Sequence, residues 1–259
     1  MGLPTSTTPA PEDVIIGPDG LPRLSQDYLD AYQRFMQTLV TEDDTPVDNI
    51  FSATQMHLLI DSLYASWQHP QFGRRFIARG NVGVFYAFHQ PPVVPDMFLS
   101  LDVTLPADVW KKTNRSYFIW EYGKPPEVVV EIVSNSEGAE EKPDGKLGIY
   151  GRIGVARYVV YDPGLQTGSE PLRVYALSRG RLERSDEMWF EEVGLGVVLW
   201  RGRFEGCEAT WLRWCDRNGA VIPTGEERAE AERTRAEAER ERAERLAAKL
   251  RAAGIDPDA

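Results

Sequence analysis

The run Val128-Val129-Val130-Glu131-Ile132-Val133 constrains this chain more than any other six residues. Five of the six are apolar and β-branched, which predicts a strand covered on both faces in the middle of a sheet. A carboxylate inside such a strand is an anomaly, because a buried ionised group needs a partner charge, a metal or a proton. Glu131 therefore has either a structural salt bridge with an arginine or lysine, or a chemical task.

The surroundings of this run set the fold class. Between Arg75 and Ile222 short runs rich in Val, Ile, Phe and Tyr alternate with Gly, Pro, Asn and Asp, predicting strands at 77–88, 97–103, 128–133, 158–161, 172–177 and 197–200. Two helices come first. One runs from Ser25 to about Val40, with Tyr28, Leu29, Tyr32, Phe35, Met36 and Leu39 on its apolar face. The second is opened by a capping box of Ser52 and Gln55, carries Met56, Leu59, Ile60, Leu63, Tyr64 and Trp67, and ends before Pro70. The chain is thus read as α/β (α+β), with a flexible Pro-rich leader at 1–22, a domain at 23–224 and a charged helix at 225–259. Asn218-Gly219 predicts a type I′ hairpin turn between 211–214 and 220–222. In the tail, residues 229–235 and 236–242 form a seven-residue repeat laced with Glu–Arg pairs. Glu232 and Glu239 spoil its apolar seam, so a solvated helix is expected first and a weak coiled coil second.

Composition removes several function classes. With 42% hydrophobic and 27% charged residues the chain is neither wholly disordered nor membrane-spanning, and no window supplies the roughly 20 apolar residues of a spanning helix. The first residues carry prolines and acids instead of a secretory pattern, so a soluble cytoplasmic protein is expected. Cys207 and Cys215 are too few for a disulfide framework and read as buried free thiols. His57, His69 and His89 lack metal or triad spacing, so any catalysis leans on carboxylates. The tryptophans, Trp110, Trp120 and Trp189 among them, read as core. The net charge is −11, and the tail holds ten acids against eight bases, so the rest of the chain is itself acidic. That opposes a general nucleic-acid coat, while leaving room for a metal-bridged phosphate or a local basic cluster at Arg74/Arg75/Arg79, Lys111/Lys112/Arg115 or Arg179/Arg181/Arg184.

Asp96 and Glu131, 35 residues apart, meet if their strands are neighbours. Such a pair suits a hard cation such as Mg²⁺, which takes oxygen ligands and retains waters that a substrate phosphate can replace. A lysine nearby would steady developing negative charge, and Lys142 and Lys146 follow the strand. The same two acids could also serve as a metal-free acid/base pair.

Pro95-Asp96, then Glu131-Ile132-Val133-Ser134-Asn135-Ser136, then Lys146-x-x-x-Tyr150-x-x-x-Gly154-Val155-x-x-Tyr158-x-x-x-Asp162-Pro163, resembles the Uma-type family of restriction endonucleases within the PD-(D/E)XK nuclease superfamily. The resemblance covers about residues 24–199. It implies a restriction-endonuclease-like mixed sheet flanked by helices and Mg²⁺-dependent hydrolysis of DNA phosphodiester bonds, with Mn²⁺ as a substitute. By resemblance Asp96 and Glu131 are metal ligands, the carbonyl of Ile132 or Val133 adds a third, and Lys146 is the catalytic lysine, Lys142 being the substitute. Val133 stands where the superfamily has its lysine, and Pro143 and Gly145 interrupt the expected first turn of the helix bearing Lys146. An early-helix acid, Asp48 or Asp61, would complete the site. Tyr150, Tyr158 and Asp162 read as packing and turn residues. A homodimer and a protein partner on the C-terminal helix are further expectations, and a degenerate nuclease fold acting as a binding module is the alternative function.

Overall fold

The computed structural model describes residues 13–18, 21–38, 49–136 and 138–252. In chain order it runs β1 (Val14–Ile16), β2 (Pro22–Leu24), α1 (Gln26–Thr38), α2 (Ile50–Ser66), β3 (Phe76–Gly80), β4 (Val84–Phe85) and β5 (Met97–Leu101). Then come β6 (Tyr117–Phe118), α3 (Ile119–Tyr122), β7 (Val128–Ile132), α4 (Lys146–Ile153), β8 (Arg157–Tyr161), β9 (Leu172–Ser178) and β10 (Arg181–Ser185). β11 (Trp189–Phe190), β12 (Leu195–Phe204), β13 (Cys207–Cys215) and α5 (Gly225–Ala252) complete it.

Six strands form one mixed sheet in the order β10-β9-β8-β7-β5-β3. β7 and β8 are parallel, joined by the crossover that contains α4, and the other pairings are antiparallel. The alternation of side chains across a strand divides the core in two. Val128, Val130 and Ile132 point, with Met97, Leu99, Val159 and Tyr161, toward α2 and the antiparallel β11-β12-β13 sheet. Val129 and Val133 point the other way, with Phe98, Tyr158 and Val160, under Leu147, Tyr150 and Ile153 of α4. β7 is therefore buried along its whole length, as its uniform composition predicts.

Several local expectations need correction. The stretch 77–88 breaks after Gly80, where Asn81 takes a left-handed φ of 53°, and resumes as β4 on a separate parallel pair with β6. α2 opens one turn earlier than a Ser52/Gln55 capping box would place it. Asn49 is the cap, accepting from the Ser52 N–H at 2.9 Å. Gln55 instead exchanges two hydrogen bonds with the main chain of Leu212 in β13, a tertiary use that no local pattern announces. α1 has Ser25 Oγ accepting from the Tyr28 N–H and Phe35 and Met36 buried, as read, but Leu29 is exposed, and Leu39 and Val40 lie outside the described residues.

At Asn218-Gly219 only Gly219 has positive φ, in a turn closed by its N–H on the Asp216 carbonyl, so the type I′ turn is absent there. Two-residue turns with both φ values positive, as type I′ demands, lie at Arg179-Gly180 and Glu205-Gly206. The stretch read as a flexible leader includes β1, which pairs with β2. Cys207 is exposed at the β12–β13 turn while Cys215 is buried, and both are free thiols. Trp110 is 80% exposed, against its reading as core, while Trp211 and Trp214 are fully buried.

α5 is fastened to the body at its first turn. Asp61 accepts from the Gly225 N–H at 3.0 Å, and the buried Arg213 guanidinium pairs with Glu227 at 2.7 Å. Arg228 reaches the Ala65 carbonyl. From Ala229 to Arg245 every residue is exposed.

Candidate active site

β5 and β7 run antiparallel with Met97 opposite Val130. One more residue along the same register sets Asp96 opposite Glu131, and residues directly opposite share a face. That face is the one toward α4, since Glu131 alternates with Val129 and Val133. β3 fixes the approach from the other side: the Asn81 N–H donates to the Asp96 carbonyl. A Cβ at Gly80 would lie 3.0 Å from that carbonyl oxygen, so a glycine there admits the close contact.

Glu131 is 1% exposed and both its oxygens are held. The Lys146 ammonium donates to Oε2 at 2.7 Å, and the buried Tyr150 hydroxyl donates to Oε1 at 2.9 Å. Lys146 and Tyr150 are four residues apart on α4, so one helix face delivers both donors to the same carboxylate. Pro143 and Gly145 do not interrupt this helix. They form a turn before it, closed by the Gly145 N–H on the Lys142 carbonyl, and α4 starts at Lys146. The turn folds back so closely that the Pro143 carbonyl oxygen lies only 1.8 Å from where a Cβ on Gly148 would be. Gly154, at φ 89°, ends the helix in the left-handed conformation that favours glycine.

Burial is the largest influence on Glu131 and pushes its carboxyl up to about 8; the Lys146 ammonium pulls it down, and the charge of Asp96 adds to the rise. Burial opposes the charge on Lys146, yet Glu131, Asp96 and Glu140 together hold its pKa above the ordinary lysine value. The Glu131–Lys146 pair titrates as a unit, each group's charge favouring that of the other against the cost of burial.

The Asp96 carboxylate accepts from the Ile132 N–H. In a strand the N–H and C=O of one residue point toward the same neighbour, so the Ile132 carbonyl faces the Asp96 side, whereas the Val133 N–H bonds to Tyr161 on the other. Two carboxylates and a main-chain carbonyl thus converge at the ends of β5 and β7. This all-oxygen donor set is the chemistry a hard divalent cation prefers. Among the described residues no group of three or more His, Cys, Asp or Glu side chains is gathered closely enough to hold an ion. A cation here would rest on the two acids, the carbonyl, and oxygens from water or substrate.

Of the residues singled out in the sequence, Asp96, Glu131, Ile132 and Lys146 come together. Lys142 is exposed. Asp61 is engaged at the start of α5, and Asp48 lies outside the described residues. Asp162 is a turn residue, accepting from the N–H groups of Gln166 and Thr167. Two neighbours of the site residues escaped the sequence reading. Tyr150, read as packing, holds Glu131, and its spacing from Lys146 is the signal that marks it. Glu140 lies on the 3₁₀ turn Ala139–Glu141 and carries no pattern that distinguishes it from its acidic neighbours.

The candidate basic clusters are largely answered by acids or carbonyls: Arg75 pairs with Asp102, Arg184 with Glu170, and Arg79 bonds to Tyr64 and the Ala78 carbonyl. Among the described residues no helix is long and apolar enough to cross a membrane.

No curated protein was found to match the chain. Residues 43–191 match the Uma2 family, described as "Putative restriction endonuclease". That span contains β5, β7 and α4 with Asp96, Glu131 and Lys146 upon them, and it exceeds half of the 259 residues, so the chain belongs to the Uma2 family.

Proposed function

We propose that the chain is a metal-dependent endonuclease that hydrolyses DNA phosphodiester bonds, with Asp96, Glu131 and the Ile132 carbonyl as the cation site and Lys146 as the catalytic lysine. The observation that carries this reading is the Lys146 ammonium, 2.7 Å from a fully buried carboxylate that faces a second acid across neighbouring strands. A salt bridge serving stability alone would gain little by this arrangement, since replacing such a pair with apolar residues is often neutral or stabilising. Membership of a restriction-endonuclease family supports the same substrate class.

Mg²⁺ or Mn²⁺ bound at these oxygens would polarise the scissile phosphate and lower the pKa of an attacking water. The chain's own groups supply the rest. The Ile132 N–H fixes the Asp96 carboxylate. Tyr150 fixes the rotamer of Glu131 through Oε1, leaving Oε2 as the working oxygen. Lys146, on the first turn of α4 and 30% exposed, brings a positive charge to the mouth of the site, where it steadies negative charge developing on a phosphate oxygen. The chain's net charge of −11 makes a cation the natural bridge to a phosphate backbone.

Cleavage of supercoiled plasmid and of single-stranded DNA, with Mg²⁺ or Mn²⁺ and with Glu131→Ala purified in parallel, tests this. Cutting by wild type that chelation abolishes and Glu131→Ala lacks is the expected result. Cutting that survives EDTA, or equal cutting by both proteins, refutes the assignment. No cutting by wild type with either metal moves the fold to the binding-module reading.

A further inference from the structure

We infer that Glu140 is a positioning residue for Lys146, taking over its ammonium when a divalent cation occupies Glu131. The inference rests on the cation site proposed above. In the structure Lys146 sits on the Glu131 oxygen that a cation would claim. An ammonium and a divalent ion on one buried carboxylate repel each other, so the lysine must withdraw as the ion enters. A half-buried ammonium withdrawn without a new acceptor is costly.

Glu140 offers that acceptor. Its Oε2 is buried and accepts no hydrogen bond, and it is the one carboxylate oxygen among the described residues in that condition. A buried acceptor without a donor is destabilising unless the vacancy is used. The 3₁₀ turn that carries Glu140 packs against α4, the helix that carries Lys146, and the charge of Glu140 favours the ammonium there. Its backbone is held by other groups. The Tyr158 hydroxyl donates to the Glu140 carbonyl at 2.9 Å, and the neighbouring Glu141 is gripped by Arg173 at 2.7 Å and by Tyr175. The 3₁₀ turn is thus pinned from β8 and β9 while the Glu140 oxygen is left for a mobile partner. Direct ligation of the ion by Glu140 is disfavoured by the absence, among the described residues, of any three acids close enough to hold one.

The test is Mn²⁺ affinity, measured by calorimetry on the full chain without DNA, for wild type, Glu140→Gln, Glu140→Ala, Lys146→Met and the Glu140→Ala/Lys146→Met double variant. Glu140→Ala should weaken Mn²⁺ binding about tenfold, the worth of one charge-assisted hydrogen bond, and Glu140→Gln by less. Lys146→Met should bind Mn²⁺ more tightly than wild type, and in that background Glu140→Ala should have no effect. Unchanged affinity in Glu140→Ala overturns the inference, and so does a loss that persists beside Lys146→Met. Glu131→Ala separates the two levels of the argument. If it abolishes Mn²⁺ binding while Glu140→Ala does nothing, the inference alone falls. If wild type binds no Mn²⁺, or Glu131→Ala binds as wild type does, the cation site falls with it. Glu140→Gln keeps the shape of the side chain and guards against a folding artefact, checked by thermal unfolding.

Discussion

Replacing Gly148 by alanine sets two effects of opposite sign against each other. In a helix interior the exchange should stabilise by about 1 kcal/mol through backbone entropy. Against that, the new Cβ would lie 1.8 Å from the Pro143 carbonyl oxygen and 2.9 Å from its carbon, where ordinary contact begins at 3.4 Å. The oxygen must retreat by about 1.6 Å. It belongs to a main-chain turn tied by the Gly145 N–H to Lys142, so it cannot swing away as a side chain would. Overpacking of this kind costs up to about 3 kcal/mol, leaving a net loss of ~2 kcal/mol and a thermal midpoint lowered by roughly 4–8 °C. The turn leads directly into Lys146, the catalytic lysine of the proposed site, and a misplacement on the order of 1 Å at such a group costs about a hundredfold in rate. Thermal unfolding followed by circular dichroism, with metal-dependent plasmid cleavage alongside, reads both effects. A Gly148→Ala protein that melts above wild type would show that helix propensity wins and that the contact with Pro143 is relieved at no cost.

Tyr150→Phe removes the donor to Glu131 Oε1 but keeps the ring packed against Tyr158, 5.1 Å away between centroids. It should cost about 1–3 kcal/mol in denaturant unfolding and slow cleavage without changing DNA affinity; unaltered stability would mean the hydroxyl contact is worth nothing. Asp162 is fully buried, and although burial raises its pKa, hydrogen bonds from Thr167 and Gln166 and the charge of Arg173 outweigh it and hold the carboxyl below its ordinary 3.8. A folded value below the unfolded one means that the stability it contributes is present above pH 3.8 and lost as the pH falls through the folded value. Asp162→Asn should therefore be less stable than wild type at pH 7, with the deficit shrinking in strong acid. A deficit independent of pH would contradict the reasoning.

Features with a short-range cause were readable from the chain. β7 announces itself because burial on both faces requires apolar side chains at every position, and the single exception, Glu131, is the centre of the site. The order of Asp96, Glu131 and Lys146 could be read, but their meeting depends on β5 lying beside β7, a pairing across some thirty residues. Gln55 shows why other signals mislead: its spacing from Ser52 is that of a cap, yet its amide serves Leu212, 157 residues away. Tyr150 was hidden because a tyrosine on an apolar helix face serves packing and hydrogen bonding at once, and only the position of Glu131 reveals which end of the ring matters. Glu140 was hidden because its distinction is a missing partner, which no sequence records.

The anchored first turn of α5 has a mechanical consequence. Twenty-eight helical residues at about 1.5 Å each make a mast roughly 42 Å long, with its foot clamped by Asp61, Arg213 and Ala65. A clamped helix fixes azimuth as well as reach, so a group attached at its far end faces one direction relative to the nuclease-like body. Inserting one residue in the exposed stretch would turn that group by about 100°, whereas inserting seven would nearly restore its heading while carrying it about 10 Å farther out.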